Sequence, residues 1–267
     1  MKIGFIGAGN MGRAIASGLV SKGASRPSDI VCVSASGKGA ARMAEKTGAR
    51  IAASKAELIE ASDIIVLAFK PQHLETLTAE EAALAKGKLV VSVLAGRSLE
   101  SMKAVFPTAS NLVRVMPNTP SQIGKGVSTY CFLNTPQSAE AEAVDTLLSS
   151  LGTAYEVRED QLHIATVING CGPAFYFRLI QLIGEAAEKR GLEKELAMKL
   201  AAETAIGSLE LLQSSKRDPQ DLIDEVVSPN GVTHALLVSL DRNGLPSVLD
   251  TAAEDAVARS VELSQAQ

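Results

Sequence analysis

Short apolar runs alternate with amphipathic stretches along the first part of the chain. One run, Ile64-Ile65-Val66-Leu67, is apolar at every position, as expected of a central strand buried on both faces. Between the runs, apolar residues recur at helical spacing. This alternation predicts an α/β fold with a mostly parallel sheet and helices on both faces. The predicted strands are 2–6, 30–33, 63–68, 88–93, 110–115, 126–132 and 154–157, and the predicted helices are 10–22, 37–47, 54–61, 71–85, 97–105 and 136–150.

Beyond about residue 158 the strand pattern disappears and only helical periodicity remains. The helix at 173–190 is apolar nearly all round in its first turns, and such a helix is usually covered by neighbours. We therefore expect the helical half to pack into a homodimer, and burial of this helix within one subunit is the alternative. The predicted helices of this half are 159–169, 173–190, 193–214, 219–227, 232–242 and 246–264.

A glycine-rich turn joins the first predicted strand to the first predicted helix. Its pattern is G-x-G-x-x-G, in the strand–turn–helix context that dinucleotide binding requires. Gly7 would make the tight turn, Gly9 would let the backbone approach a pyrophosphate, and Gly12 would allow close packing of helix on strand. A purely structural turn is the alternative. We expect a Rossmann-like, doubly wound domain over residues 1–157, with cofactor contacts from Ile6, Gly7, Ala8, Gly9, Asn10, Met11 and Gly12.

Composition and charge narrow the classes of function. The chain has 267 residues, 46% of them hydrophobic, and its net charge of −4 argues against nucleic acid as a partner. The apolar N-terminus is too short for a signal peptide, and Arg178 interrupts the best candidate for a membrane span. Three dispersed cysteines predict reduced, mostly buried thiols in a cytoplasmic protein. The histidines are isolated from one another, so we expect no metal site.

The end of the second predicted strand bears on the choice of cofactor. NAD-binding domains place an acidic residue there to hold the ribose 2′-hydroxyl. Here the strand is followed by Ser34, Ser36 and Lys38, without a carboxylate. These groups, with help from Arg42 or Lys55, suit a 2′-phosphate, so we expect NADP(H) to be preferred and leave acceptance of NAD(H) open. Capping of the next helix by the two serines is the alternative.

Two further strand ends are expected to border the cofactor, because ligands of open α/β sheets bind outside the carboxyl ends of the strands. After the strand at 63–68, Lys70 would meet a phosphate or lie in solvent, and Pro71 would begin a helix. After the strand at 88–93, small residues leave room for nicotinamide. The expected contacts at these two ends are Ala68, Phe69, Lys70, Pro71 and Ala95.

Two other loops are dense in turn-forming residues. The first, Arg114–Pro120, follows the strand predicted at 110–115, and the second, Ser228–Thr233, lies between two late helices. In the second loop, backbone N–H groups at a helix start and two hydroxyls would form a cradle for a carboxylate. An ordinary helix cap is the alternative.

Together these features resemble the pyrroline-5-carboxylate reductase family, whose members catalyse the last step of proline biosynthesis. The Ser228–Thr233 loop is the most specific part of the resemblance, because general dinucleotide-binding proteins lack it. The resemblance implies an NAD(P)H-dependent imine reductase whose helical domain, here residues 158–267, forms dimers and binds substrate. It also implies assembly of dimers into a larger ring, such as a decamer. The other matching segments are Gly7–Gly12, Ala68–Pro71, Arg114–Pro120 and Gly170–Ala174.

The resemblance assigns roles to individual residues. Backbone amides of Gly231, Val232 and Thr233 would hold the carboxylate of a cyclic imino acid, and the Thr233 hydroxyl, as the catalytic group, would face the ring nitrogen. The residues of the first loop would line the junction of substrate and nicotinamide. The implied substrate-binding residues are Met116, Pro117, Asn118, Ser228, Gly231, Val232 and Thr233.

Two residues depart from the family pattern. The family loop usually reads Ser-Pro-Gly-Gly-x-Thr, whereas Asn230 stands at the first of the two glycines here. Asparagine tolerates the left-handed conformation better than most residues, so we expect the loop to keep its shape. The second departure is Cys171, where the family usually has serine, and any contact made by that hydroxyl is in doubt.

Other functions remain alternatives on the sequence. A β-hydroxyacid dehydrogenase would need a lysine early in the second domain, but between Gly172 and Gly184 the only basic residue is Arg178. A non-catalytic NADP sensor would not need the second ligand loop. A carbonyl reductase would need a positioned acid, and no convincing His–carboxylate or Tyr–Lys pair stands in the sequence. A protonated imine already carries the charge that makes its carbon accept hydride, which favours imine reduction.

Overall fold

The computed structural model describes residues 1–265, so residues 266 and 267 of the predicted domain 158–267 lie outside it. Within the described residues, eight strands form one sheet in the order β3-β2-β1-β4-β5-β6-β7-β8. Every neighbouring pair is parallel except β6 and β7. The strands are β1 (Ile3–Ile6), β2 (Ile30–Val33), β3 (Arg50–Ile51), β4 (Ile64–Leu67), β5 (Leu89–Ser92), β6 (Asn111–Met116), β7 (Gly126–Phe132) and β8 (Gly152–Glu156). The predicted α/β class and mostly parallel sheet are confirmed.

Helices cover both faces of this sheet. Alternate residues of β4 enter two separate apolar clusters: Ile64 and Val66 belong to one, and Ile65 and Leu67 to the other. All four side chains are buried, each contributing about 1.5–3 kcal/mol by leaving water. The helices of this part are α1 (Asn10–Ser21), α2 (Lys38–Thr47), α3 (Lys55–Ala61), α4 (Ala79–Ala83), α5 (Leu99–Val105), α6 (Ser138–Ser149) and α7 (Leu162–Ala165).

The prediction of one continuous helix at 71–85 is wrong, because the helical segment is interrupted in the middle. A 3₁₀ helix runs from Pro71 to Thr76, and α4 begins only at Ala79. The break is made by a capping box, in which Thr78 Oγ1 accepts from the Glu81 amide at 3.2 Å and a Glu81 carboxylate oxygen accepts from the Thr78 amide at 3.0 Å. The predicted helix at 159–169 also has mixed geometry, with a π-helical turn at Thr166–Gly170.

The chain divides into two compact units. Of the described residues, the first contains Met1–Cys171 together with residues 257–265, and the second is Gly172–Ala256. The return of the last helix to the first unit is marked by a 2.9 Å hydrogen bond between His163 Nδ1 and Ser260 Oγ. The functional boundary after residue 157 stays a prediction.

The second unit is helical and leaves many large apolar side chains exposed. Its helices are α8 (Gly172–Glu188), α9 (Lys194–Ser215), α10 (Pro219–Val226), α11 (Val232–Arg242) and most of α12 (Leu245–Gln265). Phe175, Tyr176 and Phe177 on α8 are 46%, 50% and 69% exposed. Burial of this helix within one subunit, the alternative considered above, is therefore wrong. No helix within residues 1–265 is both long and apolar enough to cross a membrane.

Candidate functional site

A cleft of about 480 Å³ opens at the carboxyl ends of β1, β2 and β4. Ligands of open α/β sheets bind at this kind of position. Of the expected cofactor contacts, ten line this cleft. The lining residues are Gly7, Ala8, Gly9, Asn10, Met11, Ser34, Ala35, Ser36, Gly39, Ala68, Phe69, Lys70, His73 and Val93.

Two glycines of the turn at the base of the cleft are needed for different reasons. Gly7 has φ +96°, and a Cβ there would meet the carbonyl carbon and oxygen of Ala68 at 2.5 Å. A Cβ at Gly9, in contrast, would meet only the Ala68 oxygen, at 3.6 Å, so it would project into the cleft. Gly7 is thus required by the fold, whereas Gly9 leaves room for a ligand. This cradle fits the pyrophosphate of a dinucleotide.

At two helix starts in the cleft, the N-cap residue itself provides no side-chain cap. The N-cap residues are Gly9 for α1 and Gly37 for α2, and neither helix has an acidic residue in its first turn. The free N–H groups and the helix dipole give both ends a partial positive charge. An anionic group in the cleft would satisfy both helices.

Side chains add to this preference for anions. The described lining contains Lys70 and His73 and no carboxylate. Ser34 Oγ accepts from the Ala40 amide at 2.9 Å, so this serine caps α2, as the alternative interpretation proposed, while also lining the cleft. Ser36 is exposed.

The remaining expected contacts have other positions. Ile6 is buried at the end of β1, and Gly12 is buried in α1, where a Cβ would come within 2.9 Å of the Gly7 oxygen. Lys38 and Ala95 are exposed and do not belong to the described lining. Pro71 begins the 3₁₀ helix and is likewise outside it.

Sequence reasoning missed four lining residues, which are Ala35, Gly39, His73 and Val93. Gly39 had a usable signal, because it is a second glycine after β2. A Cβ at Gly39 would meet the Ala8 oxygen at 2.9 Å, so it lets α2 approach the glycine turn closely. Val93 had a signal too, because it ends the strand predicted at 88–93, whose carboxyl end was expected to border the cofactor. His73 had none, since only the tertiary fold brings it to the cleft.

The segment after β6 is held by a pair of asparagines. Asn118 Nδ2 donates to the Asn169 carbonyl at 3.0 Å, and its Oδ1 accepts from the Val127 amide at 2.9 Å. Asn169 Nδ2 donates to the carbonyls of Met116 at 2.7 Å and Val127 at 3.1 Å. Both asparagines are buried, and Asn169 Oδ1 has no partner among the described residues. Met116, buried Pro117 and Asn118 are therefore fixed against the π-helical turn.

The Ser228–Thr233 loop lies in the second unit and leads into α11. Asn230 has φ 58°, so the left-handed conformation expected of it is confirmed. The Gly231 amide donates to the Ser228 carbonyl at 2.9 Å, which closes the turn. Gly231 is the N-cap of α11 without a side-chain hydrogen bond, which leaves the amides of Val232 and Thr233 free of intrahelical partners. Ser228 is exposed, and Thr233 is partly buried.

The three cysteines differ in environment. Cys32 and Cys131 are buried, as expected, whereas Cys171 is exposed, and all three are free thiols. Burial, with Glu159 nearby, raises the pKa of Cys131 to about 12. Within residues 1–265 no cluster of three or more His, Cys, Asp or Glu side chains is arranged to hold a metal ion.

Comparison with known proteins gives matches along the whole chain. Residues 159–263 match the model described as pyrroline-5-carboxylate reductase dimerisation, and residues 2–96 match that described as NADP oxidoreductase coenzyme F420-dependent. The pyrroline-5-carboxylate reductase of Pseudomonas aeruginosa is 34% identical over 99% of this chain and 97% of its own length.

Solved structures agree with these matches. The structure of Plasmodium falciparum pyrroline carboxylate reductase with NADP bound has 31% identity and a TM-score of 0.86, covering 99% of this chain and 98% of that one. The structure of a pyrroline-5-carboxylate reductase from Coxiella burnetii has 29% identity and a TM-score of 0.92, covering 98% of both chains.

Proposed function

Because the chain belongs to the pyrroline-5-carboxylate reductase family, we propose the following division of roles among its residues in the reduction of (S)-1-pyrroline-5-carboxylate to L-proline. The enzyme is an NAD(P)H-dependent imine reductase of proline biosynthesis, and its reaction consumes the imine, NAD(P)H and a proton. The observation that carries this function is the match to the Pseudomonas aeruginosa enzyme, which includes the cofactor cleft and the Ser228–Thr233 loop alike.

The cleft of the first unit is assigned to NADP(H). When bound, the cofactor supplies the hydride. The remaining free N–H groups at the starts of α1 and α2 would bind the pyrophosphate, with Gly9 leaving the space for it. Ser34, Ser36 and Lys70 would favour a 2′-phosphate over a free hydroxyl, because the described lining has no carboxylate to accept from that hydroxyl. Acceptance of NAD(H) is proposed only as a weaker activity.

The Ser228–Thr233 loop is assigned to the substrate carboxylate. The amides of Val232 and Thr233 would donate to it at the positive end of α11. The Gly231 amide already donates to Ser228, so its contribution is to close the turn that presents the next two amides. Asn230 supports this assignment because its left-handed backbone preserves the turn without a glycine.

The Thr233 hydroxyl is assigned to the ring nitrogen. The N–H of a protonated imine can donate to the hydroxyl oxygen. Once the carbon has accepted hydride, the hydroxyl can donate to the lone pair that forms on the amine nitrogen. Catalysis then rests mainly on positioning rather than on a strong acid. Met116, Pro117 and Asn118 would border the reacting ring, with Asn169 holding that segment in place.

The exposed apolar face of the second unit is assigned to a homodimer. Three neighbouring aromatic side chains at 46–69% exposure are unusual on the surface of a monomer. The matching dimerisation model supports the same role. We also propose that dimers assemble into a larger ring, such as a decamer. Light scattering coupled to size-exclusion chromatography measures the mass of this assembly. The cytoplasmic location and the absence of a nucleic-acid partner stay predictions.

One spectrophotometric assay tests the proposed function. We expect oxidation of NADPH when pyrroline-5-carboxylate is added to the purified protein, with no oxidation when a 3-hydroxy acid replaces it. A dehydrogenase of hydroxy acids would instead reduce NADP⁺ with the hydroxy acid. A protein that binds NADPH tightly and turns over neither compound would be the NADP sensor.

A further inference from the structure

A second groove lies along α1 in the first unit, beside the cofactor cleft. Its volume is about 500 Å³, and Asn10 lines both spaces. Its walls come from α1, the end of α2, the turn after β6 and the end of α6. The lining residues are Asn10, Arg13, Ala14, Ser17, Gly18, Ser21, Lys22, Lys46, Ser121, Gln122, Ile123, Gly124 and Ser150.

This groove is positively charged. Arg13, Lys22 and Lys46 line it, and the described lining contains no carboxylate. Lys22 Nζ donates to the neutral carbonyl of Ser149 at 2.6 Å. Three cations without an acidic partner in one groove are notable in a chain of net charge −4, and they favour an anionic ligand.

Two hydroxyl groups in the walls of the groove also favour a ligand that carries acceptor oxygens. Ser17 Oγ and Ser121 Oγ are buried and have no hydrogen-bond partner among the described residues. Ser121 is only 4% exposed as a whole residue. A buried donor without an acceptor is costly, and a ligand oxygen could accept only from a hydroxyl that turns toward the groove, because Ser121 Oγ now lies against Gly126.

Arg13 connects the groove to the cofactor cleft. Its Nη1 donates to the Ala8 carbonyl at 2.8 Å, and its Nη2 donates to Asn10 Oδ1 at 2.7 Å. Ala8 and Asn10 belong to the glycine turn that lines the cleft. An anion that draws Arg13 toward the groove would weaken its hold on this turn. The anion would also repel the negatively charged cofactor. Both effects would weaken binding of the cofactor.

We propose that this groove is a second ligand site, which binds a phosphate dianion and thereby weakens NADPH binding. The shared chemistry is the phosphate group, whether free or carried by a small metabolite as a monoester. Because coupling between sites is reciprocal, bound NADPH must weaken phosphate binding by the same factor.

Calorimetric titration of the full-length protein with inorganic phosphate, at an ionic strength kept constant with chloride, tests the site without relying on turnover. We expect Lys22→Gln/Lys46→Gln to weaken phosphate binding by at least about tenfold, since hydrogen bonds to charged groups are among the stronger ones. The control Lys86→Gln/Lys103→Gln removes two exposed lysines elsewhere and is expected to leave binding unchanged. Lys70→Gln, in the cofactor cleft, is the second control.

Three results would overturn the site. The first is no binding of millimolar phosphate by the unmodified protein. The second is loss of binding in Lys70→Gln with retention in the groove variant, which would locate the ion in the cofactor cleft. The third is equal weakening in both double variants, which would reflect general charge alone.

Fluorescence titration with NADPH tests the coupling. Saturating phosphate is expected to raise the Kd for NADPH by about fivefold in the unmodified protein, the low end of couplings between sites. In Lys22→Gln/Lys46→Gln, phosphate is expected to have no such effect relative to that variant's own Kd in chloride, which the loss of two positive charges beside the cleft raises. An equal rise in the groove variant would show direct competition and refute the coupling. Repeating the calorimetry with glucose 6-phosphate separates the sources: tighter binding than phosphate indicates a metabolite, and weaker binding indicates the free ion.

Discussion

Asn118 and Asn169 each donate a side-chain hydrogen bond to the backbone of the other's segment. Asn118 reaches the carbonyl of Asn169 at 3.0 Å, and Asn169 reaches the carbonyl of Met116 at 2.7 Å. The two residues lie far apart in sequence, so the pair joins the end of β6 to the π-helical turn before α8. π-Helical turns often occur at functional sites, and here the turn brings Asn169 to the segment assigned to the substrate.

Asn169→Ala is expected to lower the free energy of unfolding by about 1–3 kcal/mol, because the carbonyls of Met116 and Val127 lose a buried donor. Urea denaturation measures this loss. Asn134→Ala, at an exposed asparagine, is the control and is expected to change stability by less than about 0.5 kcal/mol. Equal effects of the two substitutions would contradict the role given to Asn169.

Gly7→Ala is expected to destabilise the protein and to weaken NADPH binding. The new Cβ would meet the backbone of Ala68 at 2.5 Å, so the glycine turn would have to shift. Gly23→Ala is a matched control, since Gly23 also has positive φ but nothing lies within 4 Å of a Cβ there. It is expected to cost only the backbone strain of about 1–2 kcal/mol. Thermal denaturation and NADPH titration of both variants separate the backbone strain of a positive φ from the collision of the new Cβ with Ala68. Similar NADPH affinities of the two variants would refute the role given to this collision.

Much of the fold could be predicted because its signals are local. The apolar run Ile64-Ile65-Val66-Leu67 identifies a buried central strand by itself. The two-residue strand β3, in contrast, is too short to show periodicity, and it exists only because β2 offers it an edge. The break in the predicted helix 71–85 had a local signal in Thr78 and Glu81, which the continuous apolar spacing obscured.

The candidate site could be predicted only in part, for the same reason. The glycine turn is a local motif, so its residues were named from sequence. His73 and Asn169 reach their sites through tertiary packing, and a single histidine or asparagine in a helical stretch carries no signal of that. For Ser34, after β2, the sequence left two interpretations open, and the structure supports both: this serine caps α2 and also lines the cleft.

Thr233→Ala is expected to lower kcat/KM for pyrroline-5-carboxylate by roughly ten- to a thousandfold, the range for loss of one group acting on the transition state. Thr233→Ser keeps the hydroxyl and is expected to retain most of the activity. Steady-state kinetics with both variants test the assignment. Unchanged kinetics of the alanine variant would remove Thr233 from the mechanism.

Ser36→Asp is expected to lower kcat/KM with NADPH by at least about tenfold, because a carboxylate would repel the 2′-phosphate. Activity with NADH is expected to stay the same or rise, since a carboxylate can accept from the ribose 2′-hydroxyl. Ser36→Asn has a similar size without the charge and is the control. If the unmodified enzyme already prefers NADH, the interpretation of this loop is wrong.

Labelling with iodoacetamide is expected to modify only Cys171 in the folded protein. Thiolates are the reactive form, and burial raises the pKa of Cys131 to about 12 and also raises the pKa of Cys32. Raising the pH from 7 to 9 therefore leaves the Cys131 thiol protonated, and burial keeps Cys32 out of reach of the reagent. Mass spectrometry of intact protein is expected to show one added group, none in Cys171→Ser and three after denaturation. Labelling of Cys131 at pH 9 would contradict its burial.

The left-handed backbone of Asn230 has a consequence for how relatives of this enzyme are recognised. The loop before α11 requires a left-handed backbone conformation at position 230, and both glycine and asparagine can adopt it. A search pattern written with two consecutive glycines would miss this chain, although Asn230 has the left-handed backbone and the turn is closed by the hydrogen bond from the Gly231 amide to the Ser228 carbonyl. Patterns that specify backbone conformation in place of residue identity would recover chains of this kind.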